Sequence, residues 1–123
     1  QYITPDDMKA KIDAKEDMLL LSVQTKDSYK EDGHLHGSIE TKAYPANTED
    51  LRKRLDKVTD KLTENDLPIY VMCMEGKGGA ENAISYYVNE KKIDQTRFYI
   101  IEGGIKGWPF PEMLESSKTE AEE

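Results

Sequence analysis

Cysteine is nearly missing from this chain: one residue, Cys73, occurs in 123. A lone cysteine excludes an internal disulfide and a C-x-x-C redox pair. Histidine is almost as scarce, with only His34 and His36. The several Cys and His ligands of a zinc site are therefore lacking, and no metal or organic cofactor is expected. Long apolar runs are absent too. The longest, Ile69 to Met74, suits a buried strand and falls far short of the about 18 residues of a membrane helix. Positive charge is in deficit, with 17 Lys and Arg against 25 Asp and Glu, a formal net charge of −8. Such a surface disfavours non-specific binding to nucleic acid or anionic membrane, and neither is expected as a partner. The chain opens on Gln1 rather than Met, so an upstream segment is expected to have been removed or left out. A cytoplasmic location and export with a removed signal both stay open.

What is present is an alternation of short apolar runs and amphipathic stretches, long enough for one core but not two. Thr4-Pro5-Asp6-Asp7 combines an N-cap, a proline at the first helical position and early acids, which predicts a helix over about Pro5 to Ala14. Met18 to Val23 reads as a strand, Lys26 to Glu31 as a short helix stopped by Gly33, and Ser38 to Glu40 as a short strand. Thr48 caps a helix expected to reach about Leu62, with Leu51, Leu55, Val58 and Leu62 on one face. Pro68 introduces a strand that ends at Cys73. A helix is expected over about Ala80 to Glu90, and a last strand over Arg97 to Ile101. Tyr86, Tyr87 and Tyr99 are expected to pack on the sheet with their hydroxyls at its rim, and Arg52, Lys53, Arg54 and Lys57 to form a solvated helix face. Ser116 to Glu123 reads as a frayed acidic tail. The alternation predicts an α/β fold with a mostly parallel sheet and helices on both faces. In such sheets the functional crevice lies at the carboxyl ends of the strands, where Cys73 falls.

The loop after Cys73 is Met74-Glu75-Gly76-Lys77-Gly78-Gly79. Its glycines allow the backbone to curl with amides pointing inward as a nest, and the following helix brings its positive N-terminal end to the same place. An anion on the Cys73 sulfur would be stabilised there, which favours a nucleophilic thiolate. The same segment also suits a simple turn holding an inert buried cysteine. A phosphate loop is disfavoured because the G-x-x-x-x-G-K-[ST] spacing is missing.

Further segments bear on that choice. Gly33-His34-Leu35-His36-Gly37-Ser38 resembles the G-H-I-x-G-A motif of rhodanese-like domains. Ile101-Glu102-Gly103-Gly104-Ile105-Lys106-Gly107-Trp108 resembles their L-x-G-G-x-x-x-W motif. Cys73 to Ala80 stands where that family has its C-x-x-G-x-R-S loop, and Leu19 to Gln24 where it has a strand ending in I-D-V-R. The resemblance spans about Tyr2 to Pro109. It implies a rhodanese-like domain over residues 1–110, followed by a polar acidic tail over 111–123. It further implies that Cys73 is the sulfur-accepting nucleophile, and that Met74, Glu75, Gly76, Lys77, Gly78 and Gly79 form the loop whose amides hold a persulfide. The partner it implies is a small sulfur donor or a persulfide-carrying protein. It gives His34 a structural role near a turn, and Trp108 a packing role.

The sequence departs from the family at the loop arginine, replaced by Gly78, and at the following serine, replaced by Gly79. The Asp and Arg of the early strand become Ser22 and Gln24, and Glu75 adds a loop acid against Lys77, the one loop cation. Anionic donors such as thiosulfate should meet less attraction here. Three functions follow in order of fit: a sulfurtransferase, a catalytically weakened rhodanese-like module that binds a protein, and a cysteine phosphatase. The last needs a C-x₅-R loop whose arginine grips phosphate, and that position is Gly79.

Overall fold

The computed structural model describes residues 1–115. The expected frayed tail, Ser116 to Glu123, lies outside the described residues. The chain runs β1 (Tyr2–Ile3), α1 (Pro5–Asp13), β2 (Leu19–Val23), α2 (Lys26–Glu31), β3 (His34–Leu35), β4 (Ile39–Glu40), α3 (Glu49–Asp56), α4 (Thr59–Thr63), β5 (Ile69–Cys73), α5 (Gly78–Lys91), β6 (Phe98–Ile101) and β7 (Leu114–Glu115). Short 3₁₀ turns at Gln95–Arg97 and Pro111–Met113 precede the last two strands.

Five strands form one parallel sheet in the order β1-β6-β5-β2-β4. Parallel strands are joined by crossovers that cover both faces. β5 lies inside the sheet and is buried along its whole length. Because side chains alternate across a strand, Ile69, Val71 and Cys73 enter one core with Leu55, Leu62, Ala80, Ala83 and Tyr87. Tyr70 and Met72 enter the other, with Met8, Ile101, Ile105 and Trp108. Cys73 therefore faces the layer built by α3, α4 and α5.

Local chemistry explains most element ends. Thr4, Thr25 and Thr48 each accept a hydrogen bond from the third residue onward, Asp7, Ser28 and Leu51, and so cap α1, α2 and α3. The helix expected from Thr48 to Leu62 is broken between Asp56 and Thr59. The Leu55 carbonyl, which would continue the ladder, instead accepts from the Tyr87 hydroxyl at 2.7 Å and from the Val58 amide at 3.2 Å. The break leaves Leu55, Val58 and Leu62 buried, while Leu51 is only half-buried. Arg97 is not a strand residue; it sits in a 3₁₀ turn and its guanidinium donates to the carbonyls of Leu62 and Leu67. Tyr87 also departs from expectation, since its hydroxyl ties α5 to α3 instead of reaching the sheet rim. Within the stretch 111–123, Leu114 and Glu115 pair antiparallel with Leu35 and His34. Among the described residues, no helix is long and apolar enough to cross a membrane.

Candidate active site

Cys73 ends β5, and Gly78 opens α5 only a few residues on. The intervening turn is tight because Gly76 adopts φ +77, a backbone region that a side chain would strain. The turn brings the Gly76 N–H back to donate to Cys73 Sγ at 3.0 Å. The residue that caps α5, Lys77, offers no side-chain acceptor to the helix. The first-turn amides of a helix have no partners within it, so the N-terminal amides of α5 lie without intrahelical bonds at the end of the loop that follows Cys73.

A second turn holds the loop in place. Ile105 and Lys106 donate their amides to the carbonyls of Cys73 and Met74 at 2.8 and 3.1 Å. The contact is close because both turns use glycine. A Cβ on Gly104, at φ +59, would lie 2.5 Å from the Cys73 carbonyl oxygen. One on Gly76 would lie 2.5 Å from the Gly103 nitrogen. The G-G segment was visible in the sequence only as a motif; its physical task is to grip the backbone of Cys73 and Met74.

The loop residues are not equivalent. Cys73, Gly76 and Gly79 are buried, Met74 is half-buried, and Glu75, Lys77 and Gly78 are exposed. Glu75, Gly76 and Lys77 line an open pocket of about 330 Å³ with Tyr2, Glu102 and Gly103. Two acids thus share that surface with the loop's single cation. Gly78 has nothing within 4 Å of where a Cβ would stand, whereas a Cβ on Gly79 would lie 2.4 Å from Tyr44 Cδ1. Tyr44 had no signal in the sequence, because it comes from the loop after β4 and reaches the site only through the fold.

The departures at and just beyond the end of β2 form a hydrogen-bonded network, which reaches Asp32 through Ser28. Ser22 Oγ donates to Gln24 Oε1 at 2.8 Å. Gln24 Nε2 donates to Ser28 Oγ and to the Gly33 carbonyl, both at 3.1 Å. Ser22 and Gln24 are buried, and among the described residues no buried side-chain nitrogen or oxygen lacks a partner. His34 stacks on Tyr29 with ring centroids 3.8 Å apart, and its Nδ1–H donates to the Tyr29 carbonyl at 3.1 Å. Its ring is thus engaged at the α2–β3 turn. Trp108 is buried and its Nε1–H donates to the Phe110 carbonyl at 3.0 Å. Arg52, Lys53, Arg54 and Lys57 are all exposed on or just beyond α3, and Arg54 donates to the Lys42 carbonyl.

A cysteine at the carboxyl end of a central parallel strand, followed by a glycine loop and a helix N-terminus, defines an α/β domain with its candidate site at the strand ends. Residues 4–109 match the family model described as the rhodanese-like domain, and the chain belongs to that family. Among solved structures, the chain is similar to the rhodanese-like domain of an Anabaena protein, with TM-score 0.70, 16% identity, and coverage of 96% of this chain and 80% of that one. It is similar to a rhodanese-like domain protein from Staphylococcus aureus, with TM-score 0.64, 22% identity, and coverage of 94% and 97%. It is also similar to a yeast protein tyrosine phosphatase of the rhodanese family, with TM-score 0.68, 15% identity, and coverage of 87% and 82%. At these identities the likeness is one of fold. No curated protein sequence matches this chain significantly.

Proposed function

We propose that this domain is a sulfurtransferase that carries sulfane sulfur as a persulfide on Cys73. The observation that carries the reading is the Gly76 N–H donating to Cys73 Sγ inside a chain of the rhodanese-like family. The Cys73 thiolate attacks the outer sulfur of a donor, and a new S–S bond forms. The donor's own S–S bond breaks, and its electron pair leaves with sulfite or a thiolate. The persulfide then gives its outer sulfur to a thiolate or cyanide, and the electron pair of the broken bond returns to Cys73. Met74, Glu75, Gly76, Lys77, Gly78 and Gly79 form the loop that surrounds the outer sulfur, with backbone amides rather than side chains as its donors. The donor is a small sulfane-sulfur compound or a persulfide-carrying protein. Intact-mass measurement after incubation with several donors tests this. A gain of one sulfur atom is expected on the wild type and none on Cys73→Ser. No gain from any donor would remove the reading.

The second reading, a catalytically weakened module that binds a protein, is favoured by one observation: the Cys73 side chain is fully buried at 0% exposure. Sulfur uptake by Gly78→Arg but not by the wild type would select it. Phosphatase chemistry is the weakest of the three. The position of its arginine is Gly79, where the space for a side chain is filled by the Tyr44 ring.

A further inference from the structure

The place where the family carries a serine after its loop arginine is here Gly79, and it does not stand empty. An ideal Cβ on Gly79 would lie 2.4 and 2.6 Å from Cδ1 and Cε1 of Tyr44, and 3.6 Å from Cys73 Cβ. Atoms in ordinary contact stay about 3.5–4.0 Å apart, so any side chain at 79 would drive the ring away. The ring therefore fits only because residue 79 is glycine, and it sits within one side chain's width of the cysteine. Cys73 has no solvent exposure, while Tyr44 is half-buried and packs against the same core.

The Tyr44 loop is held from several directions. Asn82 Nδ2, on α5, donates to the Pro45 carbonyl at 2.9 Å. Thr41 Oγ1 donates to the Ser22 carbonyl at 2.7 Å and accepts from the Ala43 amide at 3.2 Å. Ala43 and Ala46, on either side of Tyr44, are fully buried. Lys42 and Ala46 adopt φ +57 and +62, conformations that non-glycine residues hold only when the surrounding structure imposes them. The ring is thus placed by the fold.

We infer that Tyr44 is a specificity-determining residue of the Cys73 site, closing it over Gly79 and selecting small, uncharged sulfur donors. This rests on the sulfurtransferase reading. The Tyr44 atoms that fill the place of the serine hydroxyl are the ring carbons Cδ1 and Cε1, which do not replace its hydrogen bond, and stripping water from an anion is costly. The loop also lacks an arginine to offset that cost, and the exposed Lys77 shares its pocket with Glu75 and Glu102. A dianion such as thiosulfate is disfavoured both by charge and by the ring. The protonated form of a low-molecular-weight alkyl persulfide meets neither obstacle. The Cys73 thiolate attacks its outer sulfur, the inner thiolate leaves, and the proton stays on the transferred sulfur.

The test separates closure from sulfur chemistry. Alkylation rates of Cys73 are measured with iodoacetamide, with iodoacetate as its anionic counterpart, and with the bulkier N-phenylmaleimide. Wild type, Tyr44→Ala, Gly79→Ala and the double variant are compared, with thermal unfolding confirming that each is folded. Tyr44→Ala should speed N-phenylmaleimide and iodoacetate by about tenfold, the factor given by a barrier lowered by about 1.4 kcal/mol, and iodoacetamide by less. Gly79→Ala should also speed the bulky reagent, by expelling the ring, and should add nothing in the Tyr44→Ala background. Rates within about twofold of wild type for both single variants, or additive effects in the double variant, would overturn the inference. In parallel, Tyr44→Ala should raise one-sulfur mass gain from thiosulfate more than from an alkyl persulfide; an unchanged ratio overturns the selectivity. If no variant gains sulfur while alkylation responds as expected, the sulfurtransferase reading fails and the closure by Tyr44 stands.

Discussion

The peptide nitrogen of Ile105 donates to the carbonyl oxygen of Cys73 at 2.8 Å, so the backbone of the cysteine is fastened by a turn far along the chain. The fastening depends on Gly104, which leaves no room for a side chain beside the same carbonyl.

Gly104→Ala should therefore loosen the site and the fold together. The new Cβ would stand 2.5 Å from the Cys73 oxygen at a positive φ, and strain of this kind costs about 1–3 kcal/mol or more. Urea unfolding measures the loss, and the rate of sulfur uptake should fall with it. A stability change below about 0.5 kcal/mol, the range of surface sites, would show that the two turns are not in contact.

The loop charges should act on anionic donors alone. Lys77→Ala should slow reaction with thiosulfate and Glu75→Gln should speed it, each by up to about fivefold, since an exposed charge is worth at most about 1 kcal/mol. A neutral donor should respond to neither. Gly78→Arg should speed thiosulfate further. The position has open space for a side chain and no positive φ, so the arginine enters without strain. Initial rates of one-sulfur mass gain check all three, and equal responses of neutral and anionic donors would refute the charge argument.

The helical layer over the Cys73 face should be sensitive at Leu55, which is fully buried. Leu55→Ala should cost roughly 2–5 kcal/mol. Tyr87→Phe removes the hydroxyl that bonds the Leu55 carbonyl, which keeps its bond from the Val58 amide, and should cost about 0.5–1.5 kcal/mol. Chemical denaturation of both variants measures these losses. A Tyr87→Phe protein as stable as wild type would mean that the break between α3 and α4 has another cause.

Acid should reveal the link between Asp56 and α5. The Tyr86 hydroxyl, then Lys91 at 3.0 Å, holds the Asp56 carboxyl below its ordinary value of 3.8. A carboxyl depressed by folding adds stability that is full above the unfolded value and vanishes as pH falls through the folded one. Asp56→Asn should therefore be less stable than wild type at neutral pH, with the gap closing as pH drops below 3.8. Unfolding midpoints across that range test the sign; a gap that widens on acidification would contradict it.

Much of this was legible in the sequence where elements are long enough to show a period. The strand ending at Cys73, the α5 helix and the Thr4 and Thr48 caps fall where the pattern put them, whereas the Thr25 cap of α2 emerges only in the structure. The two-residue strands β1, β3 and β7 show no alternation at that length, and only their tertiary partners define them. The break after Asp56 depends on a tyrosine hydroxyl reaching in from α5, which helical spacing cannot reveal. At the site, Gly79 read as the loss of a serine. Its meaning as room for Tyr44 needs the distance between two loops. Ser22 and Gln24 likewise read as losses, but in place they satisfy one another and the Gly33 carbonyl.

The parallel sheet ends on both sides in strands of only two residues, β1 and β4. The unpaired backbone of an edge strand is a template on which another chain can grow. Here each template is about one dipeptide long, too short to seed a ladder. A net charge of −8 adds mutual repulsion between copies, so this domain should remain dispersed at high concentration and resist fibrillar assembly without a dedicated guard at either edge.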